Sequence, residues 1–200
     1  MLIFLAAVGV ACGLRFALPA RRLARATVRW AWMPVIAALL QVGLNVGPLR
    51  ALIGQGPFAV VVLSYGIVGA WLIVNTWYQA PTLRLPAGLI AGGWVLNVIP
   101  IVANRGMPVS AGALARIGVH RSAVGNGNLW KHVLETSHTA VPWLGDVVPL
   151  PLPLLRNVIS IGDIVVLVGA VLAVQLVSFA PRPERPRGLS DLVVDASNPL

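Results

Sequence analysis

The sequence predicts an all-α, polytopic integral membrane protein with five transmembrane helices and a long extracytoplasmic lid loop between the fourth and fifth. Three observations predict it. Of 200 residues, 58% are hydrophobic and 10% charged, against about a quarter charged in an ordinary soluble domain. The mean hydropathy is +0.84. The charges also stand between apolar blocks: residues 1–14, 30–49, 51–83, 85–104 and 164–181 carry none. A helix crossing a hydrocarbon core of about 30 Å needs about 20 mostly apolar residues.

Each span follows from its own block. The first, roughly 1–18, reaches spanning length if Arg15 snorkels and the following FALPA continues the run. Its basic residues follow the apolar core, the reverse of a cleaved signal peptide. The second, roughly 30–47, starts with Trp30 and Trp32, amphipathic rings that favour the headgroup level. Pro57 and Pro81 bracket the third, roughly 58–78, which closes on Trp77 and Tyr78. The fourth and fifth occupy roughly 85–103 and 160–179, so that 1–180 forms a single membrane domain. The tail, 181–200, carries four prolines and both charge signs and is expected to be a disordered cytoplasmic end.

Fifteen Lys and Arg against six Asp and Glu give a net charge of +9. Because these charges fall between apolar blocks, the expected partner is the lipid bilayer and not nucleic acid. Arg15, Arg21, Arg22, Arg25, Arg29, Arg84, Arg182, Arg185 and Arg187 lie on one side; Arg50, Arg105, Arg116, Arg121, Lys131 and Arg156 are spread over the other. The positive-inside rule then puts the N-terminus outside and the C-terminus in the cytoplasm of a bacterial inner membrane. A lone Cys12 excludes a disulfide framework or a Cys-based zinc site within one chain. Nothing in the sequence calls for a metal or cofactor: phosphate loop, dinucleotide fingerprint and nucleophile elbow are all missing from it.

Glycines four apart occur at Gly9 and Gly13, Gly43 and Gly47, and Gly88 and Gly92. Each pair lies on one helix face and lets helices approach closely in lipid, so these faces are expected to pack the bundle or to join it to a second copy or another chain. Gln41, Asn45, Asn75 and Asn97 must find hydrogen-bond partners where water is scarce, and read best as interhelical glue.

The loop 104–156 holds all three histidines, and a loop of this length in a compact protein is usually functional. LARIGVH and LWKHVLE mix apolar and charged residues as short interfacial helices do; PWLGDVVPLPLPLL, with four prolines, is expected to run extended. Asp146 follows Gly145 in a Trp-Leu-Gly-Asp turn, and Asp163 follows Ser160-Ile-Gly at the start of the fifth span. The structural reading has Asp163 complementing a helix N-terminus and Asp146 capping a turn or pairing with Lys131 or Arg156. The functional reading has both acids converge with His132, where burial raises a carboxyl into the range of acid/base work. Glu135 and His138 would share a helix face, but no second such pair exists to complete a carboxylate-bridged metal site.

Four motifs, Asn104-Arg-Gly-Met-Pro-Val-Ser110, Lys131-His-Val133, Trp143-Leu-Gly-Asp-Val-Val-Pro-Leu-Pro151 and Asn157-Val-Ile-Ser-Ile-Gly-Asp163, occur in this order. Together they resemble the bacterial membrane-protein family catalogued as domain of unknown function 5317. The resemblance spans roughly 1–180 and implies a small polytopic inner-membrane protein without implying an activity. Its usual Asn-Gly-Gly before Met-Pro-Val is here Asn104-Arg105-Gly106.

Three function classes stay open: a membrane protein binding a small polar or lipid-like ligand through Asn104, Lys131, His132, Asp146 and Asp163; a membrane-embedded enzyme acting on a lipid-linked substrate by acid/base catalysis; and an accessory subunit packed through its glycine faces. Catalytic residues are not assigned at this level.

Overall fold

The computed structural model describes residues 29–30, 32–43, 57–125, 131–152 and 155–179. The first expected span, the end of the second with Asn45 and Gly47, and the tail lie outside the described residues. Helices dominate. They are α1 (Trp32–Gly43), α2 (Pro57–Tyr78), α3 (Pro81–Asn104), the short α4 (Ala111–Arg116) and α5 (Ile161–Phe179). Two of them, α2 and α3, are long and apolar enough to cross a membrane.

Pro57 and Pro81 each take the first position of a helix, where a missing N–H costs no hydrogen bond. Pro81 therefore opens α3 rather than closing the helix before it, and α3 begins four residues earlier than the charge-free run suggests. Pro86 and Pro100 lie inside α3, buried, and each removes one donor from its ladder.

The closest helix pairing is α3 with α5, and glycines set its distance. A β-carbon on Gly93 would come 2.6 Å from the Gly162 carbonyl oxygen, and one on Gly169 would come 2.8 Å from that of Pro86. Gly69 gives room in the same way to the Trp94 ring between α2 and α3. The glycines expected to do this, Gly88 and Gly92, face open space instead. The spacing identified a glycine face on α3, but the face meeting α5 carries Gly93.

The connection from α3 to α5 is not a pair of interfacial helices but a small cap built on strands, which corrects the all-α expectation. Strand β1 (Met107–Val109) pairs in parallel with β2 (His132–Leu134), in the register Met107↔His132 and Val109↔Leu134. On its other edge β1 bridges to Asp146, also in parallel. Segment 131–135, expected helical, is thus mostly strand, so Glu135 and His138 share no helix face; LARIGVH is helical only through Arg116. The proline-rich stretch is extended as expected, and forms a hairpin of β3 (Val148–Leu152) with β4 (Leu155–Ile159). Its prolines Pro149 and Pro151 fall opposite Val158 and Arg156, on the alternate pairs of the ladder, where an N–H is not required.

Two apolar clusters hold the cap. Val109, Ala113, Leu114, Ile117 and Val158 join β1, α4 and β4. Val61, Ile101 and Met107 join the start of α2, the end of α3 and β1. The second cluster seats the cap on the bundle.

Candidate functional site

The site begins with how α3 ends. Arg105 adopts a left-handed conformation (φ 55°, ψ 26°), and the N–H of Gly106 returns 3.0 Å to the Ile101 carbonyl, closing the helix and turning the chain into β1. Gly106 then lets β2 come close, since a β-carbon there would stand 2.8 Å from Val133 Cγ1. On the opposite edge a β-carbon on Gly145 would stand 2.6 Å from the Pro108 carbonyl oxygen. That close approach allows Asp146 N–H to donate to Pro108 O at 2.7 Å and Ser110 N–H to donate to Asp146 O at 3.0 Å. Pro108, with no N–H, fits β1 because Ser110 supplies the donor on that edge.

His132 and Asp146 therefore flank the same short strand, and their side chains meet: His132 Nε2 lies 3.1 Å from Asp146 Oδ2. This is the one contact between a basic side chain and a carboxylate among the described residues, with side-chain exposures of 14% and 7%. The partner of Asp146 is thus His132, not Lys131 or Arg156. Burial pushes the Asp146 carboxyl above its ordinary range, against the opposing pull of His132 and Lys131. His132 Nδ1 is buried and has no hydrogen-bond partner among the described residues.

Lys131 adjoins this pair. Its ammonium donates to Gln41 Oε1 of α1 at 3.4 Å, and no carboxylate among the described residues lies within ion-pair distance of it. Burial lowers its pKa, with Asp146 and Asp163 pulling the other way. Gln41 Nε2 donates in turn to Ser64 Oγ at 3.1 Å, and that hydroxyl donates to Val61 O at 2.8 Å.

Asp163 closes the far side. Asn97 Nδ2 of α3 donates to its Oδ1 at 2.9 Å and Ser160 N–H to its Oδ2 at 3.2 Å, while Asp163 N–H donates to Ser160 Oγ at 3.0 Å. This is a reciprocal capping box with Asp in the acidic position. Ser160 Oγ also donates to Asn97 Oδ1 at 2.6 Å. Asp163 thus stabilises the start of α5, as its structural reading expected, and also lies within electrostatic reach of Asp146 and Lys131.

Of the five residues singled out in the sequence, His132 and Asp146 meet, while Lys131 and Asp163 lie within electrostatic reach of Asp146 and keep hydrogen-bond partners of their own. Asn104 stands apart: its Nδ2 donates to Pro100 O and Ala140 O at 2.8 and 2.9 Å, and its Oδ1 accepts from Ala140 N–H at 2.8 Å. It ties the cap to α3. Gln41 and Asn97, expected as glue, are glue of a particular kind, since Gln41 bonds Lys131 of the cap and Asn97 bonds Asp163 at the start of α5. Asn75 instead holds the backbone of Arg29 at the far end of α2. Sequence reasoning missed Ser64, Ser160 and Tyr65, the last within electrostatic range of both acids. Only Ser160 carried a signal, the Ser-x-x-Asp pattern before an apolar run.

The fold and the cluster define a predominantly helical protein with apolar helices of membrane-crossing length and a strand-built cap that buries a histidine–carboxylate pair. The chain belongs to the Family of unknown function (DUF5317), whose model matches residues 25–175 and so takes in all five residues. No curated protein and no solved structure matches the chain.

Proposed function

We propose that the chain is an integral membrane protein whose capped polar cluster binds a small polar or lipid-like ligand. In the orientation expected from the basic residues, the cap lies on the extracytoplasmic face of a bacterial plasma membrane. The membrane reading is supported by what the long helices expose. Only 28% of the best apolar window in α2 and 22% in α3 is buried, whereas a core helix of a soluble protein is mostly covered. Val62, Leu63 and Ile73 on α2, Val95, Ile99 and Val102 on α3, and Val168 and Leu172 on α5 face outward. Such a surface matches hydrocarbon rather than water.

The ligand reading is carried by one observation: the half-buried Lys131 ammonium has an amide oxygen, and no carboxylate, as its described partner. A charge drawn partly out of water without a counter-ion is held at a cost that an anionic partner would relieve. The neighbouring His132 Nδ1 is buried and has no hydrogen-bond partner among the described residues. Together they offer a donor for an anionic group and an acceptor for an N–H or O–H beside it.

Phosphoethanolamine, which carries both kinds of group, is the probe. Added to the detergent-purified full chain at about 100 times its Kd, a ligand specific for the folded state adds about 2.7 kcal/mol of stability. The expected result is a raised melting temperature for the wild type and none for Lys131→Met. A wild type and variant that respond alike would sink the reading. A second reading, general-base catalysis by His132, rests on the same unpartnered Nδ1 with Asp146 as its positioning residue.

A further inference from the structure

Resting on the membrane reading above, we infer that the 140–144 turn of the cap is an interfacial anchor that seats Trp143 in the headgroup layer beside the end of α3. The turn is built with unusual care. Asn104 grips Ala140 through both its N–H and its carbonyl. Val141, a β-branched residue, is held at φ 45° and ψ 54°, a left-handed conformation that persists only where the surroundings over-determine it. Leu144 N–H and Gly145 N–H then close the turn on Val141 O and Pro142 O, each at 3.0 Å. The outcome is that Leu144 is 3% exposed while its neighbour Trp143 is 60% exposed. The turn thus holds a tryptophan ring outward on a fixed backbone while its neighbouring leucine packs inward.

Its position says what covers the ring. The turn packs on α3, whose last two turns show Ile99 and Val102 to the outside. The 20 uncharged residues from 85 to 104 separate Arg84 from Arg105, a rise of about 30 Å that matches a hydrocarbon core. Arg105 then marks one boundary, and Trp143 is carried to that level by Asn104. At the other boundary Trp77 and Tyr78 are exposed on α2, with the Arg29 guanidinium 4.3 Å from the centre of the Tyr78 ring. Aromatic rings at both boundaries form the paired belts of a spanning protein. An exposed Arg105 beside the turn suits lipid phosphate rather than an apolar protein surface.

The test uses the full chain with Cys12→Ser, reconstituted in phosphatidylcholine vesicles, with an environment-sensitive fluorophore on Trp143→Cys or, separately, on Val95→Cys midway between Arg84 and Arg105. The expected result is that lipids brominated near the headgroup end of the acyl chain quench the probe at 143, and lipids brominated near the chain terminus quench the probe at 95. Adding Asn104→Ala should reduce quenching at 143 and leave it unchanged at 95. Quenching at 143 by aqueous iodide alone, or by neither reagent, overturns the anchor while the signal at 95 keeps the membrane reading. Loss of bromine quenching at both positions overturns both.

Discussion

Arg105 sits where an L-amino acid pays most for its side chain. A left-handed backbone costs a non-glycine residue about 1–2 kcal/mol, and glycine gives back about 0.5–1 kcal/mol of that through its freedom in the unfolded chain. Arg105→Gly is therefore expected to stabilise the protein by about 0.5–1 kcal/mol, read as a rise in melting temperature with the α3 cap intact. A fall would mean that the arginine side chain contributes more than the backbone strain it brings. The residue was visible in the sequence as a departure from Asn-Gly-Gly, and its conformation explains why glycine suits that place. The role of Asp163 was equally legible, because a capping box is local. The pairing of His132 with Asp146 was not: the two are 14 residues apart, and they meet only because each borders an opposite edge of β1.

Among the elements, α2, α3 and α5 were legible because uninterrupted apolar runs can hardly form anything else, while the cap was not. LWKHVLE has the mixed spacing of an amphipathic helix, yet Met107 N–H to Lys131 O and Glu135 N–H to Val109 O, at 2.9 and 3.0 Å, draw it into a strand. Those partners come from a distant segment, and local pattern does not encode them. The glycines give the sharper lesson. Spacing four apart marks a face of α3 but does not say what that face meets, and the observed contact with α5 runs through Gly93, Gly162 and Gly169. Gly93→Ala should lower the melting temperature, because the new methyl would press on the Gly162 carbonyl and on Val166. Gly92→Ala, with nothing within 4 Å, should be neutral or stabilising by up to about 1 kcal/mol through helix propensity. Equal effects of the two variants would contradict the packing of α3 on α5.

For the molecule as a whole, the cluster that joins cap to bundle should make stability depend on pH, and the sign follows from burial. Asp146 is raised above its unfolded value by desolvation. Its contribution is therefore fully present below the unfolded carboxylate pKa and is lost as pH rises through the folded one. Lys131 is lowered by desolvation, so its contribution is present above the unfolded lysine pKa and is lost as pH falls through the folded value. Between these limits both charged forms are held at a cost. Melting temperatures of wild type and Asp146→Asn across the acid range should separate accordingly, the wild type losing ground to the variant as pH rises from about 4. Lys131→Met should gain on the wild type as pH falls from about 10.5. If the wild type instead gained on Asp146→Asn with rising pH, the hydrogen bond from His132 would outweigh desolvation, and the pair would be a net brace between β2 and the Asp146 edge of β1. The same scan on Asn97→Leu, which removes a donor from Asp163, should leave the Asp146-dependent slope in place. That slope arises from burial under the cap and not from the capping box of α5.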